Sequence, residues 1–171
     1  SVEAYNTAAS EGATIVSLVS TAMQQVDTSL FRTIVLGGAK APVHRPVNAV
    51  VTYGLTESGS GVVYNGLPLE GVEIDIRDGV VFLRAPMLLR AYRDGSTPLV
   101  NGWLRTGDRG YIDTDGSLHV EGREGDLIVT GGENVWPEQV ETRLSAMTEV
   151  RDVCVAGVPD NKWGHAVHAF V

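Results

Sequence analysis

Cysteine is nearly absent from this 171-residue sequence, which contains only Cys154. A lone cysteine excludes a disulfide within the chain and favours a reducing compartment. Because Cys154 lies in an apolar run at residues 153–155, we predict a buried thiol that packs rather than reacts. No segment approaches the ~20 apolar residues of a membrane span, and no basic-then-apolar signal peptide opens the sequence. We therefore predict a cytoplasmic protein without a membrane span.

Basic residues are also scarce, since 13 lysines and arginines stand against 21 aspartates and glutamates. The net charge is −8 and the isoelectric point is near 4.9. A protein that mainly binds a nucleic acid backbone needs the opposite balance, so we expect no nucleic acid partner. The charge balance does not exclude a local pocket for an anionic ligand, because backbone N–H groups bind phosphate without net positive charge. The 43% share of hydrophobic residues excludes a mostly disordered chain.

Glycine, by contrast, is abundant, and several of the 20 glycines follow predicted strands. The apolar, partly β-branched residues 14–19 and 33–36 predict strands, the second of which ends at Gly37 and Gly38. A third strand over residues 49–52 runs directly into a polar motif. Strands that end in glycine-rich turns are typical of an α/β sheet, in which ligands bind at the carboxyl ends of the strands.

The middle of the sequence predicts a small antiparallel region. Residues 72–76 alternate apolar and acidic side chains, and a turn at Asp78 and Gly79 leads into a second apolar stretch. The same arrangement recurs around a turn at Asp115 and Gly116. We therefore expect two consecutive β-hairpins.

The last 50 residues change character again. A strand over residues 126–130 precedes Pro137, which suits the first turn of a helix. Two further strands are predicted over residues 150–158 and 166–171. This mixture of strands and one helix predicts an α+β segment.

Three short motifs contain side chains suited to ligand binding. Residues 53–57 (YGLTE) combine an aromatic ring that can stack on a purine with a hydroxyl and a carboxylate that can hold phosphate and Mg²⁺. Residues 103–108 (WLRTGD) place an acidic residue after a predicted tight turn, where it can hold the hydroxyls of a ribose. Residues 122–126 (GREGD) and 130–134 (TGGEN) contain glycines that allow close backbone approach. Each motif alone also fits an ordinary turn.

In this order and rough spacing, the motifs resemble those of the adenylate-forming superfamily of acyl-CoA synthetases, nonribosomal adenylation domains and luciferases. The resemblance extends over essentially the whole sequence, since residues 34–39 resemble the strand and glycine turn beside the family's adenine pocket. It implies a mixed, β-rich α/β fold. Residues 1–123 would form the C-terminal part of the large AMP-binding domain with its small antiparallel region, and residues 124–171 the beginning of a truncated α+β lid domain.

The resemblance also implies a reaction. An AMP-forming acid–CoA ligase uses ATP and Mg²⁺ to convert a carboxylic acid into an acyl-adenylate, and then transfers the acyl group to CoA. A carrier-protein-loading adenylation domain and a catalytically inactive nucleotide-binding fragment are the alternatives. Residues 128–135 (IVTGGENV) resemble the acid–CoA ligases more than the carrier-loading enzymes. The motifs do not distinguish an aryl acid such as succinylbenzoate from a fatty acid as the substrate.

Residue by residue, the resemblance places the nucleotide. Tyr53 is expected to stack on adenine, and Asp108 to bind the ribose hydroxyls with Arg123 nearby. The predicted catalytic residues are Thr56, whose hydroxyl contacts the α-phosphate, and Glu57, whose carboxylate ligates Mg²⁺. The small residues expected at the nucleotide pocket are Gly38, Ala39 and Gly54.

The lid region carries the remaining roles that the resemblance implies. Gly125 occupies the hinge position, where relatives usually have Asp, Lys or Ser, and Gly131 and Gly132 would line the pantetheine tunnel. The family's phosphate-binding loop and its distal catalytic lysine have no match in the sequence. The interval from Gly38 to Tyr53 is also shorter than in the family, so we expect a helix of the relatives to be missing there. We therefore expect a fragment of a longer enzyme that is inactive alone.

Overall fold

The computed structural model describes residues 2–38, 42 and 44–171. Strands dominate this part of the chain, and its helices are short. The elements in chain order are α1 (Val2–Ser10), β1 (Ile15–Leu18), α2 (Ser20–Met23), β2 (Thr33–Leu36), β3 (Ala49–Leu55), β4 (Ser60–Tyr64), β5 (Leu67–Pro68), β6 (Glu73–Arg77), β7 (Val80–Arg84), β8 (Leu99–Val100), β9 (Trp103–Ile112), β10 (Leu118–Arg123), β11 (Ile128–Thr130), β12 (Glu133–Val135), α3 (Pro137–Leu144), β13 (Cys154–Asp160) and β14 (Gly164–Phe170).

The first sheet has the strand order β1-β2-β3-β4-β5. Strands β1, β2 and β3 are parallel, as predicted for an α/β sheet, whereas β4 returns antiparallel to β3. Ile34 and Leu36 of β2 are completely or almost completely buried in a core beneath this sheet. Helix α1 packs Tyr5 and Ala9 against that core. The sequence pattern did not predict α1, because most of its small apolar residues are alanines without a clear stripe.

The second sheet contains the two predicted hairpins, in the order β10-β9-β7-β6, with β8 paired to β9. The tight turn predicted within residues 103–108 is wrong, because these residues lie in the ten-residue strand β9. The register between β7 and β9 shifts between Val80 and Phe82, and Gly107 has a φ of +75°. This irregularity is a β-bulge, which a glycine with positive φ accommodates and which redirects the side chains around it.

The third sheet has the order β12-β11-β14-β13 and packs against α3, which begins at Pro137 as predicted. The predicted burial of Cys154 is wrong, since its thiol is exposed. Strand β13 is an edge strand, and its side-chain alternation turns Val155 inward at 5% exposure while Cys154 faces outward. An apolar run therefore indicated a strand correctly but not which of its residues is buried.

A second core joins the first two sheets. Val62 and Val63 of β4 pack with Val81 and Leu83 of β7, and all four are almost fully buried. Because β4 lies beside β3, this core fixes the end of β3 against the second sheet. Among the described residues, no helix is long and apolar enough to cross a membrane.

Candidate nucleotide-binding site

The first two sheets meet at a hydrogen bond between Tyr53 and Asp108. Tyr53 lies near the end of β3, and its hydroxyl donates to Oδ2 of Asp108 on β9 at 2.7 Å. The two residues are 55 positions apart in the sequence and belong to different motifs. The structure therefore brings two of the three predicted motifs into direct contact.

Asp108 is held by its neighbours on the bulged strand. Its carboxylate is only 8% exposed, and its backbone N–H donates to Oγ1 of Thr106 at 3.0 Å. The Thr106 hydroxyl in turn donates to the carbonyl of Val81 on β7 at 2.9 Å. Hydrogen bonds of this kind fix the orientation of a buried acidic side chain.

Arg123 supplies a positive charge beside the same carboxylate. Its Nε lies 3.2 Å from Oδ1 of Asp108, and the pairing of β9 with β10 places the two residues directly opposite each other. The Arg123 side chain is 64% exposed, so it can move away from Asp108 at little cost. Burial first, and then the hydrogen bond to Asp108, raises the pKa of Tyr53, so its hydroxyl stays protonated as a donor.

Thr56 and Glu57 follow β3 in a short 3₁₀ turn, Thr56–Ser58. The buried hydroxyl of Ser58 accepts a hydrogen bond from the backbone N–H of Leu55 at 2.9 Å and thereby closes this turn. A Cβ at Gly54 would lie 2.1 Å from the carbonyl oxygen of Ser60 on β4. Gly54 is therefore required by the close approach of two strands, independently of any ligand.

Glu57 is contacted by a loop from the second sheet. The hydroxyl of Tyr92 donates to Oε1 of Glu57 at 2.9 Å, and the backbone N–H of Leu89 donates to the Glu57 carbonyl at 2.7 Å. The sequence motifs did not indicate either residue, because the loop is more than 30 positions away and contains no recognisable motif. Only the folded structure reveals these contacts.

Two adjoining cavities bring most of the predicted residues together. The larger, about 790 Å³, has walls that include six of them: Gly38, Gly54, Thr56, Glu57, Asp108 and Arg123. The smaller, about 380 Å³, shares Gly38, Gly54, Asp108 and Arg123 with the first and adds Tyr53. Cavities of this size suit a small-molecule ligand such as a nucleotide. The predicted residue Ala39 lies outside the described residues.

The three glycines of the predicted lid do not line these two cavities. Gly131 and Gly132 form the two-residue turn of the β11–β12 hairpin, with φ values of +56° and +90°. The N–H of Gly131 donates to the carbonyl of Trp163 at 2.9 Å. Gly125 lines a third cavity of about 500 Å³, which shares Gly122, Arg123 and Glu138 with the smaller of the two, and a Cβ at Gly125 would have no neighbouring atom within 4 Å. Gly125 therefore adjoins the predicted nucleotide site through Arg123, whereas Gly131 and Gly132 line none of these three cavities.

Metal binding at this site would depend on few protein ligands. Among the described residues, no group of three or more His, Cys, Asp or Glu side chains could hold a metal ion. Mg²⁺, however, is commonly bound by one or two carboxylates together with substrate phosphates and water. The half-buried carboxylate of Glu57, on the wall of the larger cavity, fits this kind of shared coordination.

Comparisons with known proteins agree on one family, although no family model matches the sequence. A 2-succinylbenzoate–CoA ligase from Lactococcus lactis is 36% identical over 188 aligned residues, which cover 92% of this chain and 41% of that protein. The o-succinylbenzoate CoA synthetase MenE from Bacillus subtilis, solved with the acyl-adenylate OSB-AMP, superposes with a TM-score of 0.87 at 30% identity, covering 99% of this chain and 43% of that one. The amide bond synthetase McbA from Marinactinospora thermotolerans gives a TM-score of 0.82 at 31% identity, covering 99% and 44%.

The β-rich α/β arrangement of sheets is thus the fold of an adenylate-forming domain, as the motifs predicted. The chain belongs to the adenylate-forming superfamily. It spans about two-fifths of the length of the curated relatives that it matches. The alignment with the L. lactis protein is longer than the chain itself, so that relative contains residues with no counterpart here. Whether the short interval from Gly38 to Tyr53 accounts for them stays a prediction.

Proposed function

We propose that the full-length protein is an AMP-forming acid–CoA ligase, which activates a carboxylic acid as an acyl-adenylate and transfers the acyl group to CoA. The observation that carries this proposal is the larger cavity, whose walls contain Thr56, Glu57, Asp108 and Arg123 together. The similarity to 2-succinylbenzoate–CoA ligases supports the same reaction class.

In this proposal, the nucleotide binds across the junction of the first two sheets. The ring of Tyr53 stacks on the adenine, and its hydroxyl keeps Asp108 in place through the 2.7 Å hydrogen bond. Asp108 accepts hydrogen bonds from the ribose hydroxyls, while the exposed Arg123 side chain moves aside toward the phosphates. Gly38 leaves room for the base and ribose, and Gly54 lines the same pocket although a Cβ there would meet Ser60.

The chemical step then depends mainly on positioning and charge. The attacking carboxylate and the α-phosphate are both negative, so the site must orient them and offset their repulsion. The Thr56 hydroxyl donates to an α-phosphate oxygen, and Glu57 is the carboxylate that would hold Mg²⁺. When bound there, Mg²⁺ would offset the negative charge on the phosphate oxygens. Pyrophosphate leaves, and the mixed anhydride with AMP is a good acyl donor.

Transfer to CoA is assigned to the second part of the chain. We propose that residues 1–123 belong to the AMP-binding domain and residues 124–171 to a lid that moves about Gly125. An ion pair between Arg105 and Glu124 supports Gly125 as the pivot, because it ties the residue just before Gly125 to strand β9. Gly125 lies in a short 3₁₀ turn, Glu124–Asp126, and because a Cβ there would meet no atom within 4 Å, no packed neighbour opposes a change of its backbone dihedrals. Gly131 and Gly132 would line the path of the pantetheine arm.

For the acid, we propose an aryl substrate of the 2-succinylbenzoate type rather than a fatty acid. The curated relatives named above are 2-succinylbenzoate–CoA ligases, and the wall of the larger cavity beside Glu57 contains Gly59, Ser60 and Gly61 with the ring of Tyr64. Small residues leave space and an aromatic ring favours a flat aryl group.

A reducing cytoplasm is the proposed location, since the exposed Cys154 is the only cysteine.

Amide formation is a second candidate, because the amide bond synthetase McbA superposes on 99% of the chain. In that case, an amine rather than the CoA thiol would attack the acyl-adenylate. A carrier-loading adenylation domain and an inactive nucleotide-binding protein are the remaining alternatives. All four share the nucleotide site and differ in the chemistry that takes place once the nucleotide is bound.

One experiment separates these functions. Pyrophosphate release by the full-length protein is measured with ATP, Mg²⁺ and an acid panel of 2-succinylbenzoate, benzoate and octanoate, with and without CoA. The proposal predicts release with 2-succinylbenzoate and an acyl-CoA product in the mass spectrum. Release with formation of an amide only, or of an acylated carrier protein only, supports the corresponding alternative. AMP binding by titration calorimetry without any release points to the inactive protein.

A further inference from the structure

The loop between β7 and β8, residues 85–98, reaches across to the proposed catalytic carboxylate. It contacts Glu57 through two hydrogen bonds from different parts of the loop. The N–H of Leu89 donates to the Glu57 carbonyl at 2.7 Å, and the Tyr92 hydroxyl donates to Oε1 of Glu57 at 2.9 Å. One bond therefore fixes the backbone of Glu57 and the other fixes its side chain.

The loop can hold Tyr92 in place because it is internally bonded. The N–H of Tyr92 donates to the carbonyl of Ser96 at 2.7 Å, and the N–H of Gly95 donates back to the Tyr92 carbonyl at 3.0 Å. Asp94 accepts from both the N–H and the hydroxyl of Ser96, at 2.9 and 2.6 Å. Tyr92 thus projects from a closed turn rather than from a free segment.

The phenol is also suited to hold a carboxylate without neutralising it. A phenol donates one hydrogen bond and carries no charge of its own, so it holds Oε1 of Glu57 without an ion pair. A carboxylate with one oxygen held by a neutral donor keeps its full charge and leaves the other oxygen for a cation. Hydrogen-bond partners of this kind fix the orientation of a metal-binding carboxylate and thereby change the affinity of the site for the metal.

We propose that Tyr92 is a positioning residue that orients the Glu57 carboxylate for Mg²⁺ and thereby sets how much Mg²⁺ the site requires. This inference rests on the proposed role of Glu57 and adds a residue outside the three motifs. Tyr92 itself does not line the larger cavity, so it acts through Glu57 and not on the substrate.

The test compares Tyr92→Phe with wild type in the full-length protein. Phenylalanine keeps the ring and removes only the hydroxyl. Two readouts are measured against Mg²⁺ concentration: the rate of pyrophosphate release, and the rise in melting temperature caused by Mg²⁺ with a non-hydrolysable ATP analogue. We expect the half-maximal Mg²⁺ concentration to rise about three- to tenfold in both, as for loss of one partly exposed hydrogen bond. The KM for the acid and the melting temperature without Mg²⁺ should not change.

Tyr111→Phe is the matched control, because Tyr111 is also exposed and its ring stacks on His119 in another hairpin. It should leave the Mg²⁺ dependence at the wild-type value. Glu57→Gln tests the underlying role, and both readouts should lose their response to Mg²⁺. If Glu57→Gln loses that response while Tyr92→Phe keeps the wild-type midpoint, only the positioning role of Tyr92 is overturned. If Glu57→Gln keeps a wild-type Mg²⁺ response, the metal role of Glu57 and the Tyr92 inference are both overturned.

Discussion

The Tyr53 hydroxyl donates a 2.7 Å hydrogen bond to Asp108 across the junction of two sheets. Asp108 engages its other oxygen with Arg123, whose Nε lies 3.2 Å away. Both carboxylate oxygens therefore have partners before any nucleotide binds. In the proposed site, ribose hydroxyls would replace the exposed Arg123 and not the half-buried Tyr53, so one oxygen of Asp108 would stay bound to Tyr53 while the other accepts from the ribose.

The first prediction concerns the role of this carboxylate. Asp108→Ala in the full-length protein should lower kcat/KM for ATP by an amount equivalent to about 2–4 kcal/mol, because the ribose hydroxyls lose a charged acceptor in a buried place. The measurement is pyrophosphate release at varied ATP with saturating acid. Asp152→Ala, which changes an exposed aspartate outside both cavities, is the control. A normal kcat/KM for ATP in Asp108→Ala would remove Asp108 from the site.

The sequence identified the residues of this site but not the contacts between them. Period-2 alternation and glycine turns identified the strands, and the motifs identified Tyr53 and Asp108 separately. Their contact depends on how the second core places β4 against β7, which no local pattern encodes. The position of Asp108 within a bulged strand was missed for a related reason: Thr-Gly-Asp is typical of a turn unless the partner strand β7 is known.

Helix α1 and Tyr92 show two other limits of sequence reasoning. The helix has no buried residue of its own and is stabilised by contacts of Tyr5 and Ala9 with a core assembled from distant strands. Tyr92 lies in a loop without a periodic pattern, and its importance depends on a single contact with Glu57. Tertiary contacts rather than local propensity therefore decide both the formation of α1 and the position of Tyr92.

Thr52 is the subject of the second prediction. Among the described residues, its buried Oγ1 finds no hydrogen-bond partner, and its side chain packs closely against Gly37 and Gly61. Thr52→Val replaces the hydroxyl with a methyl group of similar size, so the free energy of unfolding should increase by about 1 kcal/mol. Chemical denaturation of the full-length protein measures this change.

Thr114→Val provides the control for this experiment, because Thr114 is exposed and its hydroxyl can bond to water. That substitution should change the free energy of unfolding by less than about 0.5 kcal/mol. A Thr52→Val protein less stable than wild type would contradict the prediction, since the hydroxyl would then have a partner.

The third prediction concerns pH and the hairpin that joins β9 to β10. Asp113 accepts from the N–H of Asp115 at 3.1 Å and lies 2.7 Å from Nε2 of His119. Hydrogen bonding with the Asp115 side chain first, and then with His119, lowers the pKa of Asp113 to about 2. A folded-state pKa below the unfolded value means that the ionised group stabilises the fold above about pH 4, and that this contribution is lost as the pH falls toward 2.

Thermal unfolding of wild type and Asp113→Asn measures that contribution. The melting temperature of the variant should be lower near neutral pH, and the two values should converge as the pH falls below about 4. A difference in melting temperature that stays constant through this window would show that Asp113 acts through its shape and not its charge.

The last prediction concerns the hinge proposed at Gly125. A Cβ there would meet no atom within 4 Å, and its φ is not in the left-handed region, so the observed arrangement does not itself require glycine. Gly125→Ala should therefore fold normally and keep both half-reactions. Proline would fix φ near −65° and restrict the preceding Glu124, which is already tied to Arg105. Gly125→Pro should accordingly slow acyl transfer to CoA more than adenylation, because the lid can no longer rotate between two arrangements.

Separate assays of the two half-reactions decide whether Gly125 acts as a hinge. Adenylation is measured by pyrophosphate release without CoA, and transfer by single-turnover reaction of the isolated acyl-adenylate with CoA. The hinge predicts that Gly125→Pro reduces the second rate at least tenfold more than the first, with a melting temperature close to that of Gly125→Ala. Equal losses in both rates together with a lower melting temperature would show that proline damages the fold, because restricted rotation alone leaves the stability of each domain unchanged.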